Sequence, residues 1–173
     1  MDNKLDKKVM NEITKAVYAM AEVKTGALIV LEQEVRLGDY ERTGIPIDAE
    51  VTSQLLINIF EHNTPLHDGA VLIRNNRITS ATCYLPLSDN MDINKALGTR
   101  HRAAIGISEV SDSITIIVSE ETGHVSIANN GDIIRNLSRD RFVAKIEELR
   151  KQETVAGKVK RWKGQKKHEK ERV

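Results

Sequence analysis

The segment His67-Asp68-Gly69-Ala70 places a histidine, a carboxylate and a glycine just before an apolar run that begins at Val71. A carboxylate held in front of a buried strand can ligate a hard cation such as Mg²⁺ or Mn²⁺, and it can assist the deprotonation of a hydroxyl group. His67 can supply a nitrogen ligand or relay a proton. The structural alternative is a turn in which Asp68 accepts from backbone N–H groups and Gly69 supplies an unusual φ angle.

A second segment, Gly98-Thr99-Arg100-His101-Arg102, stands at the predicted start of a helix. The unpaired backbone N–H groups of a helix start favour a bound anion, and Thr99 can cap the helix or donate to an oxygen. Arg100 and Arg102 add fixed positive charge that suits a polyphosphate. The alternative is that both guanidinium groups only pair with surface carboxylates, which are plentiful in the chain.

A third group of polar residues, Ser119-Glu120-Glu121, directly follows an apolar run. Carboxylates at a strand end can bind a cation or a ribose hydroxyl, and Ser119 can donate to a phosphate. The alternative is an ordinary polar strand end. Tyr84 has two interpretations as well, because its ring can stack on an adenine or lie half-buried in a strand. Its neighbour Cys83 is predicted to be a small buried residue.

Four helices are predicted to support these segments. They cover Leu5 to Val23, Ala49 to about Glu61, Thr99 to about Val110, and a last segment that Ser138 caps and that carries the apolar stripe Phe142, Ile146 and Leu149. Asp48 is the expected N-cap of the second helix, because its carboxylate can accept from the free N–H groups of the first turn. Val51, Leu55 and Ile59 are expected to face inward from that helix.

Apolar runs between these helices predict the strands of one sheet. They are Gly26 to Leu31, Val71 to Ile73, Arg77 to Leu85 and Ser113 to Val118, with hairpin turns across Asn75-Asn76 and Asn130-Gly131. Gly38, Gly44 and Pro46 predict a loop after the first strand. Because strands, hairpins and helices interleave, we expect an α/β fold with a central mixed-direction sheet flanked by helices.

Composition limits the class of protein. The 173 residues are 40% hydrophobic and 29% charged, which suits one compact domain. A formal charge of +1 gives the whole chain no general attraction to nucleic acid, and the single cysteine excludes an intrachain disulfide or a cysteine-based zinc site. No apolar run reaches the roughly 20 residues of a membrane helix. No Walker loop, Rossmann glycine pattern or HExxH motif is present, so the usual ATPase, dehydrogenase and metalloprotease classes are excluded.

The last 20 residues differ in composition from the rest. Beyond Thr154 the apolar pattern fades, and eight lysines and arginines stand against Glu169 and Glu171. This composition predicts a solvated tail. The alternative is an adaptor for nucleic acid or an anionic membrane, whose binding would weaken steeply with salt.

Asp68-Gly69-Ala70, followed by Gly98-Thr99-Arg100-His101-Arg102, resembles the paired signature of diadenylate cyclase domains. Further segments resemble the family in the same order: Thr43-Gly44-Ile45-Pro46, Ser53-Gln54-Leu55-Leu56, Asn63-Thr64-Pro65-Leu66-His67 and Val118-Ser119-Glu120-Glu121-Thr122-Gly123. The resemblance covers roughly Val23 to Leu137 and is greatest to the membrane-anchored CdaA or DacA type. It implies a soluble cyclase domain on the cytosolic side of the membrane, either without the transmembrane helices of its relatives or separated from them.

The resemblance also implies a reaction. Two ATP molecules are condensed into 3′,5′-linked cyclic di-AMP and two diphosphates across a face-to-face homodimer, with Mn²⁺, Mg²⁺ or Co²⁺ as the divalent metal. The expected partners are ATP, cyclic di-AMP, a second copy of the chain and regulatory proteins, with no nucleic acid. The alternative from a different class is a non-catalytic module that binds ATP or a cyclic dinucleotide through the same pocket.

By the same resemblance, each site residue has an expected role. Asp68 with Gly69 activates the 3′-hydroxyl, and His67 ligates the metal together with Asp68. The expected phosphate-binding residues are Gly98, Thr99, Arg100, His101 and Arg102. Ser119 and Glu121 contact triphosphate and metal, and Tyr84 with Leu85 lines the adenine pocket. The chain is thereby divided into a helix over residues 1–22, a cyclase domain over 23–137, a helix over 138–153 and a tail over 154–173.

Overall fold

The computed structural model describes residues 5–152 except 91, 94 and 96. The predicted tail and Trp162 lie outside these residues. The strands are β1 (Ala27–Leu31), β2 (Ile45–Glu50), β3 (Ala70–Arg74), β4 (Arg77–Cys83), β5 (Ile114–Val118), β6 (Val125–Asn129) and β7 (Asp132–Ile134). The helices are α1 (Lys7–Glu22), α2 (Gly38–Glu41), α3 (Ser53–Phe60), α4 (Thr99–Val110) and α5 (139–152).

All seven strands form one sheet in the order β2-β4-β3-β1-β5-β6-β7. β1 pairs with β3 in parallel, and the other neighbours pair antiparallel. A mixed sheet with helices confirms the predicted fold class. Because β1 is parallel to β3 and antiparallel to β5, β3 begins and β5 ends at the same end of the sheet.

β1 shows how the core is divided into two layers. All five of its residues are buried, and they alternate between two clusters. Ile29 packs in the cluster that includes Ile13 of α1 and Phe142 of α5, whereas Val30 packs in the cluster that includes Ile107 of α4. Alternate residues of a strand point to opposite faces of the sheet, so helices cover both faces of β1.

Both predicted hairpin turns are confirmed. Asn75 and Asn76 have φ angles of 50° and 63°, and they join β3 to β4. Asn130 and Gly131 have φ angles of 53° and 78°, and they join β6 to β7. Asparagine and glycine adopt this left-handed region at little cost, and two such residues in succession match the twist of the flanking strands.

The region around Asp48 contradicts the prediction of a loop followed by a helix from Ala49. Residues 45–50 instead form the edge strand β2, whose pairing with β4 shifts register between Pro46 and Ala49. Asp48 lies in this irregularity with φ 48°, and its carboxylate accepts from Arg77 at 2.9 Å. A long-range ion pair and strand pairing therefore replace the predicted cap.

Helix α3 begins later, with Thr52 as its N-cap. The Thr52 hydroxyl accepts from the Leu55 backbone N–H at 3.1 Å, and the Glu12 carboxylate accepts from the Ser53 N–H at 2.7 Å. The shifted start turns Leu56 into the core, while Leu55 is half-buried. Leu55, which was expected to face inward, packs against the same core cluster from its margin.

Helices α1 and α5 lie against the same face of the sheet. The Tyr18 hydroxyl donates to the Leu137 carbonyl at 2.8 Å, and its ring meets Phe142 edge-on with centroids 5.7 Å apart. Burial raises the pKa of Tyr18 to about 12, so the phenol stays protonated as a donor. None of the helices in the described ranges combines the length and apolar character that a membrane crossing requires.

Candidate active site

A cavity of about 900 Å³ opens at the end of the sheet where β1 and β3 begin and β4 and β5 end. This volume is in the range of pockets that hold a nucleotide-sized ligand. Residues from well-separated parts of the chain line it, including Leu28, Thr43, the segments 67–69 and 82–85, the segment 97–101, and residues 118–122. The first and second chemistry-bearing segments of the sequence thus meet in one cavity.

Asp68 stands at the start of β3 on one wall. Its carboxylate accepts from the Gly69 N–H at 3.1 Å, as in the predicted turn, and its side chain is exposed to the cavity. His67 Nδ1 lies 2.7 Å from the Thr64 carbonyl oxygen. Because that oxygen can only accept, Nδ1 donates to it, and Nε2 has a free lone pair when the ring is neutral. Asp68 and His67 therefore offer one oxygen and one nitrogen ligand.

The backbone beside Asp68 is irregular. Ala70 pairs with Cys83 and Leu72 pairs with Ser80, so Ala81 and Thr82 together oppose a single residue of β3. Thr82 has φ 55°, an unusual angle for a β-branched residue. This bulge ends β4 and turns the chain toward the cavity, as bulges next to active sites often do.

Tyr84 follows the bulge and is 76% exposed, so the alternative of a half-buried strand tyrosine is wrong. Its backbone N–H donates to the Thr43 hydroxyl at 2.8 Å, and Tyr84 and Leu85 both line the cavity. Cys83 is buried as predicted, with its Sγ 2.9 Å from the Ser80 hydroxyl. An exposed ring beside a cavity is available to stack on a planar ligand.

The start of α4 forms the facing wall. Gly98 is its N-cap, and Gly98, Thr99, Arg100 and His101 line the cavity. The Arg100 guanidinium pairs with the Glu120 carboxylate at 3.3 Å, so the predicted alternative of carboxylate pairing holds in part, but inside the cavity. A Cβ at Gly26 would lie 2.4 Å from Arg100 Nη1, so a larger residue there would displace the end of this flexible side chain.

Arg102 differs from Arg100 in its surroundings. Its side chain is half-buried and does not line the cavity. Its backbone N–H donates to the Gly98 carbonyl at 3.2 Å, and its carbonyl accepts from the Ser88 N–H at 3.1 Å. The backbone of Arg102 therefore anchors the helix start, whereas its side chain is not part of the cavity lining.

His101 is 8% exposed and lies in the first turn of α4. Burial, the charge of Arg135 and the charge of Arg100 lower the pKa of His101, while Glu121 acts in the opposite direction. Desolvation and nearby cations both disfavour an imidazolium, so the ring is neutral near pH 7. A neutral imidazole can donate one hydrogen bond and accept another beside a phosphate.

The turn after β5 carries the third predicted segment. The Ser119 hydroxyl accepts from the backbone N–H groups of Glu121 and Thr122, both at 3.3 Å, which leaves its own proton free to donate. Ser119, Glu120 and Glu121 line the cavity. His124 lines it too.

The charge of the cavity favours a bound cation when a polyphosphate is present. Among the residues that the structure describes, its charged lining consists of two arginines and three carboxylates, namely Arg100, Arg135, Asp68, Glu120 and Glu121. The carboxylates outnumber the arginines, and a bound triphosphate adds several more negative charges. Within the described ranges no group of three or more histidines, cysteines or carboxylates could hold a metal by itself. Asp68 and His67 supply two side-chain atoms that could hold a divalent ion next to a bound polyphosphate.

Sequence reasoning missed Arg135, which lines the cavity from the segment after β7. No motif surrounds it in the sequence, and its place depends on the pairing of β7 with β6. Thr43, which holds the Tyr84 backbone, appeared only as part of a family segment. Contacts of this kind carry no local signal, because they join residues that are distant in the chain.

A mixed sheet with an acid and a helix start facing one cavity is an arrangement suited to binding nucleotides and transferring phosphoryl groups. The family model described as "DisA bacterial checkpoint controller nucleotide-binding" matches residues 14–133. The chain belongs to this DAC family, which confirms the resemblance found in the sequence.

Relatives of the chain carry names that agree with this family. Cyclic di-AMP synthase CdaA of Bacillus subtilis is 55% identical over 155 residues, which cover 90% of this chain and 57% of that protein. Diadenylate cyclase of Listeria monocytogenes is 49% identical over 160 residues, which cover 90% of this chain and 58% of that protein. The chain therefore spans little more than half the length of these relatives.

Solved structures show the same fold. The crystal structure of DacA from Staphylococcus aureus matches with a TM-score of 0.80 and 50% identity, over 82% of this chain and 95% of that one. A structure described as a hypothetical membrane spanning protein from Bacillus cereus matches with a TM-score of 0.73 and 45% identity, over 76% of this chain and 64% of that one.

Proposed function

We propose that the chain is the catalytic domain of a diadenylate cyclase, which condenses two ATP molecules into cyclic di-AMP and releases two diphosphates. The observation that carries this proposal is a single cavity lined both by Asp68 and Gly69 and by the segment 98–101 at the start of α4. The names of the relatives support it, because several are diadenylate cyclases or cyclic di-AMP synthases.

In this proposal Asp68 accepts the proton of the 3′-hydroxyl group as that oxygen attacks a phosphorus atom. A divalent ion, Mn²⁺, Mg²⁺ or Co²⁺, supplies positive charge against the phosphates when bound, and Asp68 with His67 would hold it. Gly69 keeps the backbone in the angle that aims the carboxylate, since its φ is 85°. The adenine stacks on Tyr84 and lies against Leu85.

The phosphates occupy the opposite wall of the cavity. The backbone N–H groups of Thr99 and Arg100 and the free end of α4 attract them, with Gly98 leaving room for a close approach. The Arg100 guanidinium and the Ser119 hydroxyl donate to phosphate oxygens, and His101 supplies a neutral hydrogen bond. Glu121 would help to hold the divalent ion. The role of Arg102 in binding phosphate is proposed from the family resemblance alone.

The reaction requires two copies of the chain. Each 3′-oxygen forms a bond to the α-phosphorus of the ATP held by the opposite subunit, while the bond from that phosphorus to the β-phosphate oxygen breaks. Diphosphate leaves, and the hydroxyl proton goes to Asp68. One subunit cannot close the ring, so the face-to-face homodimer is part of the proposal. The proposal also includes that the chain is the cytosolic domain of a longer, membrane-anchored protein and that partner proteins regulate it.

Incubation of the purified protein with ATP and each of the three metals tests this function. Mass spectrometry should detect cyclic di-AMP and diphosphate in a one-to-two ratio. Asp68→Asn should lower the rate by about 10³-fold, because it removes the general base, whereas Asp132→Asn, an exposed acid outside the cavity, is the matched control. Folded, dimeric protein that leaves ATP intact with all three metals would contradict the proposal, and tight binding without turnover would favour a non-catalytic module.

The two-subunit requirement has its own measurement. If the active species is a dimer, the rate per chain should rise with protein concentration until the dimer saturates. A rate per chain that stays constant down to concentrations at which the protein is monomeric would exclude catalysis across two subunits.

A further inference from the structure

Arg135 lines the cavity but has no role in the reaction described above. It directly follows β7, the strand at the edge of the sheet opposite to β2. The chain on both sides of it is fixed to β6. Ile134 pairs with Ile127, and the Leu137 N–H donates to the Val125 carbonyl at 2.8 Å. These backbone hydrogen bonds on either side of Arg135 fix the position of its Cα atom.

The course of β7 brings Arg135 to the first turn of α4. At the other end of β7, the Gly131 N–H donates to the Ser108 hydroxyl near the end of α4, at 3.0 Å. The four residue steps from Gly131 to Arg135 cover about 13 Å as a strand, and the seven steps from Ser108 back to His101 cover about 10 Å of helix. β7 therefore runs back along α4, and Arg135 ends beside the helix start. The lowered pKa of His101, to which the Arg135 charge contributes, agrees with this placement.

The two arginines of the cavity differ in their pairing. Arg100 forms an ion pair with Glu120, whereas no carboxylate of the described residues pairs with Arg135. Arg135 is also exposed, so its guanidinium is hydrated rather than committed to a protein partner. An unpaired guanidinium next to a helix start is well suited to bind phosphate oxygens in a two-pronged contact.

The order of the strands indicates which phosphates Arg135 can reach. Tyr84 follows β4 and Arg135 follows β7, and these strands are five steps apart in the sheet, or about 24 Å at 4.8 Å per step. A nucleotide whose adenine lies against Tyr84 extends its phosphate chain past β1 and α4 toward β5, β6 and β7. The terminal phosphates are the part farthest from the base.

We infer that Arg135 binds the terminal phosphates of ATP, the part that leaves as diphosphate. The choice of ATP as the ligand rests on the function proposed above. In this role Arg135 selects a triphosphate over a monophosphate and neutralises charge on the leaving group. It completes a phosphate site in which the Arg100 charge is already shared with Glu120.

The test compares a triphosphate that cannot react with a monophosphate. Wild type, Arg135→Gln and Arg135→Lys are titrated by calorimetry with α,β-methylene ATP and with AMP in the presence of Mg²⁺. Arg139→Gln is the matched control, because Arg139 is an exposed arginine that does not line the cavity. We expect Arg135→Gln to weaken the methylene analogue about 10-fold or more and AMP less than about 2-fold, with Arg135→Lys in between and the control unchanged.

A second measurement needs no nucleotide. Arg135→Gln should raise the pKa of His101 measured by NMR, since a repelling cation is removed. An unmoved His101 pKa, an unchanged affinity for the analogue, or equal losses for analogue and AMP would each overturn the inference. Wild type that binds the analogue through Arg135 but never forms cyclic di-AMP would contradict only the proposed function. Active protein whose affinity for the analogue ignores Arg135 would contradict only this inference.

Discussion

The two walls of the cavity are built on different kinds of backbone. On the Asp68 wall, the pairing of β3 with β4 shifts register twice, and Gly69 and Thr82 have positive φ angles of 85° and 55°. On the phosphate wall, β5 and β6 pair through four successive positions without a shift, and α4 is a regular helix of 12 residues. The Asp68 wall is therefore built on irregular strand pairing, whereas the phosphate wall is built on a regular strand pair and the first turn of a regular helix.

Close packing explains why the Asp68 wall depends on glycine. A Cβ at Gly69 would lie 2.8 Å from the backbone carbon of Thr82, and a Cβ at Gly44 would lie 2.3 Å from the Ala81 carbonyl oxygen. The two glycines, which lie in separate segments, thus both pack closely against the bulge of β4. By contrast, Gly98 on the phosphate wall has no atom within 4 Å of its Cβ position.

Among the variants that test this contrast between the walls, the largest effect is expected from Gly69→Ala. The alanine must adopt a left-handed angle and displace the Thr82 backbone, so the free energy of unfolding should fall by about 2–3 kcal/mol. The shifted carboxylate should also lower the cyclase rate at least about 10²-fold. Urea unfolding and product assays measure both quantities. Gly98→Ala, the control, should cost about 1 kcal/mol or less as an N-cap change, and equal costs for the two variants would remove the contrast between the walls.

A smaller effect, on rate alone, is expected on the phosphate wall. Arg100→Gln should lower the rate by about 10²-fold, because it removes a donor to charge that develops on the phosphates. Arg102→Gln should lower it less than about 10-fold, because its charge acts from outside the cavity. Steady-state rates of both variants at saturating ATP are the measurement. Glu120→Gln alone and combined with Arg100→Gln separates the loss of the cation from the exposure of its partner. Equal rate losses for the two variants would indicate that the Arg102 side chain also contacts the substrate.

The smallest effect concerns pH. Because the folded chain lowers the pKa of His101, the unfolded state binds more protons as the pH falls below the usual histidine value of about 6.5. The free energy of unfolding should therefore decrease from pH 7.5 to pH 5.5, and this decrease should be smaller in His101→Gln. Urea unfolding of both proteins at the two pH values is the measurement. Parallel decreases would show that His101 is as free to ionise in the folded chain as in the unfolded one.

Local chemistry made much of the fold predictable. Helix α4 has the predicted bounds, and the turns at Asn75-Asn76 and Asn130-Gly131 lie where the asparagines and glycine place them. Asp48 misled because a capping residue and an edge-strand residue look alike in sequence. Its real partner, Arg77, lies 29 residues away on β4, and the helix start passed to Thr52.

The candidate site divides along the same line. Its motif residues, among them Asp68 and Arg100, were found from their types, their spacing and the family resemblance. Arg135 and the Thr43 contact to Tyr84 were not, because each depends on pairing between distant segments.

The sequence by itself determined the local elements, the polar segments at their ends and the family to which the chain belongs. Only the tertiary structure decided that these segments share a cavity. The physical reason is strand pairing: β1 bonds to β3 on one side and to β5 on the other, and α4 covers the face between them. That arrangement brings Asp68, Arg100 and Ser119 to one edge of the sheet, although 51 residues separate the first from the last.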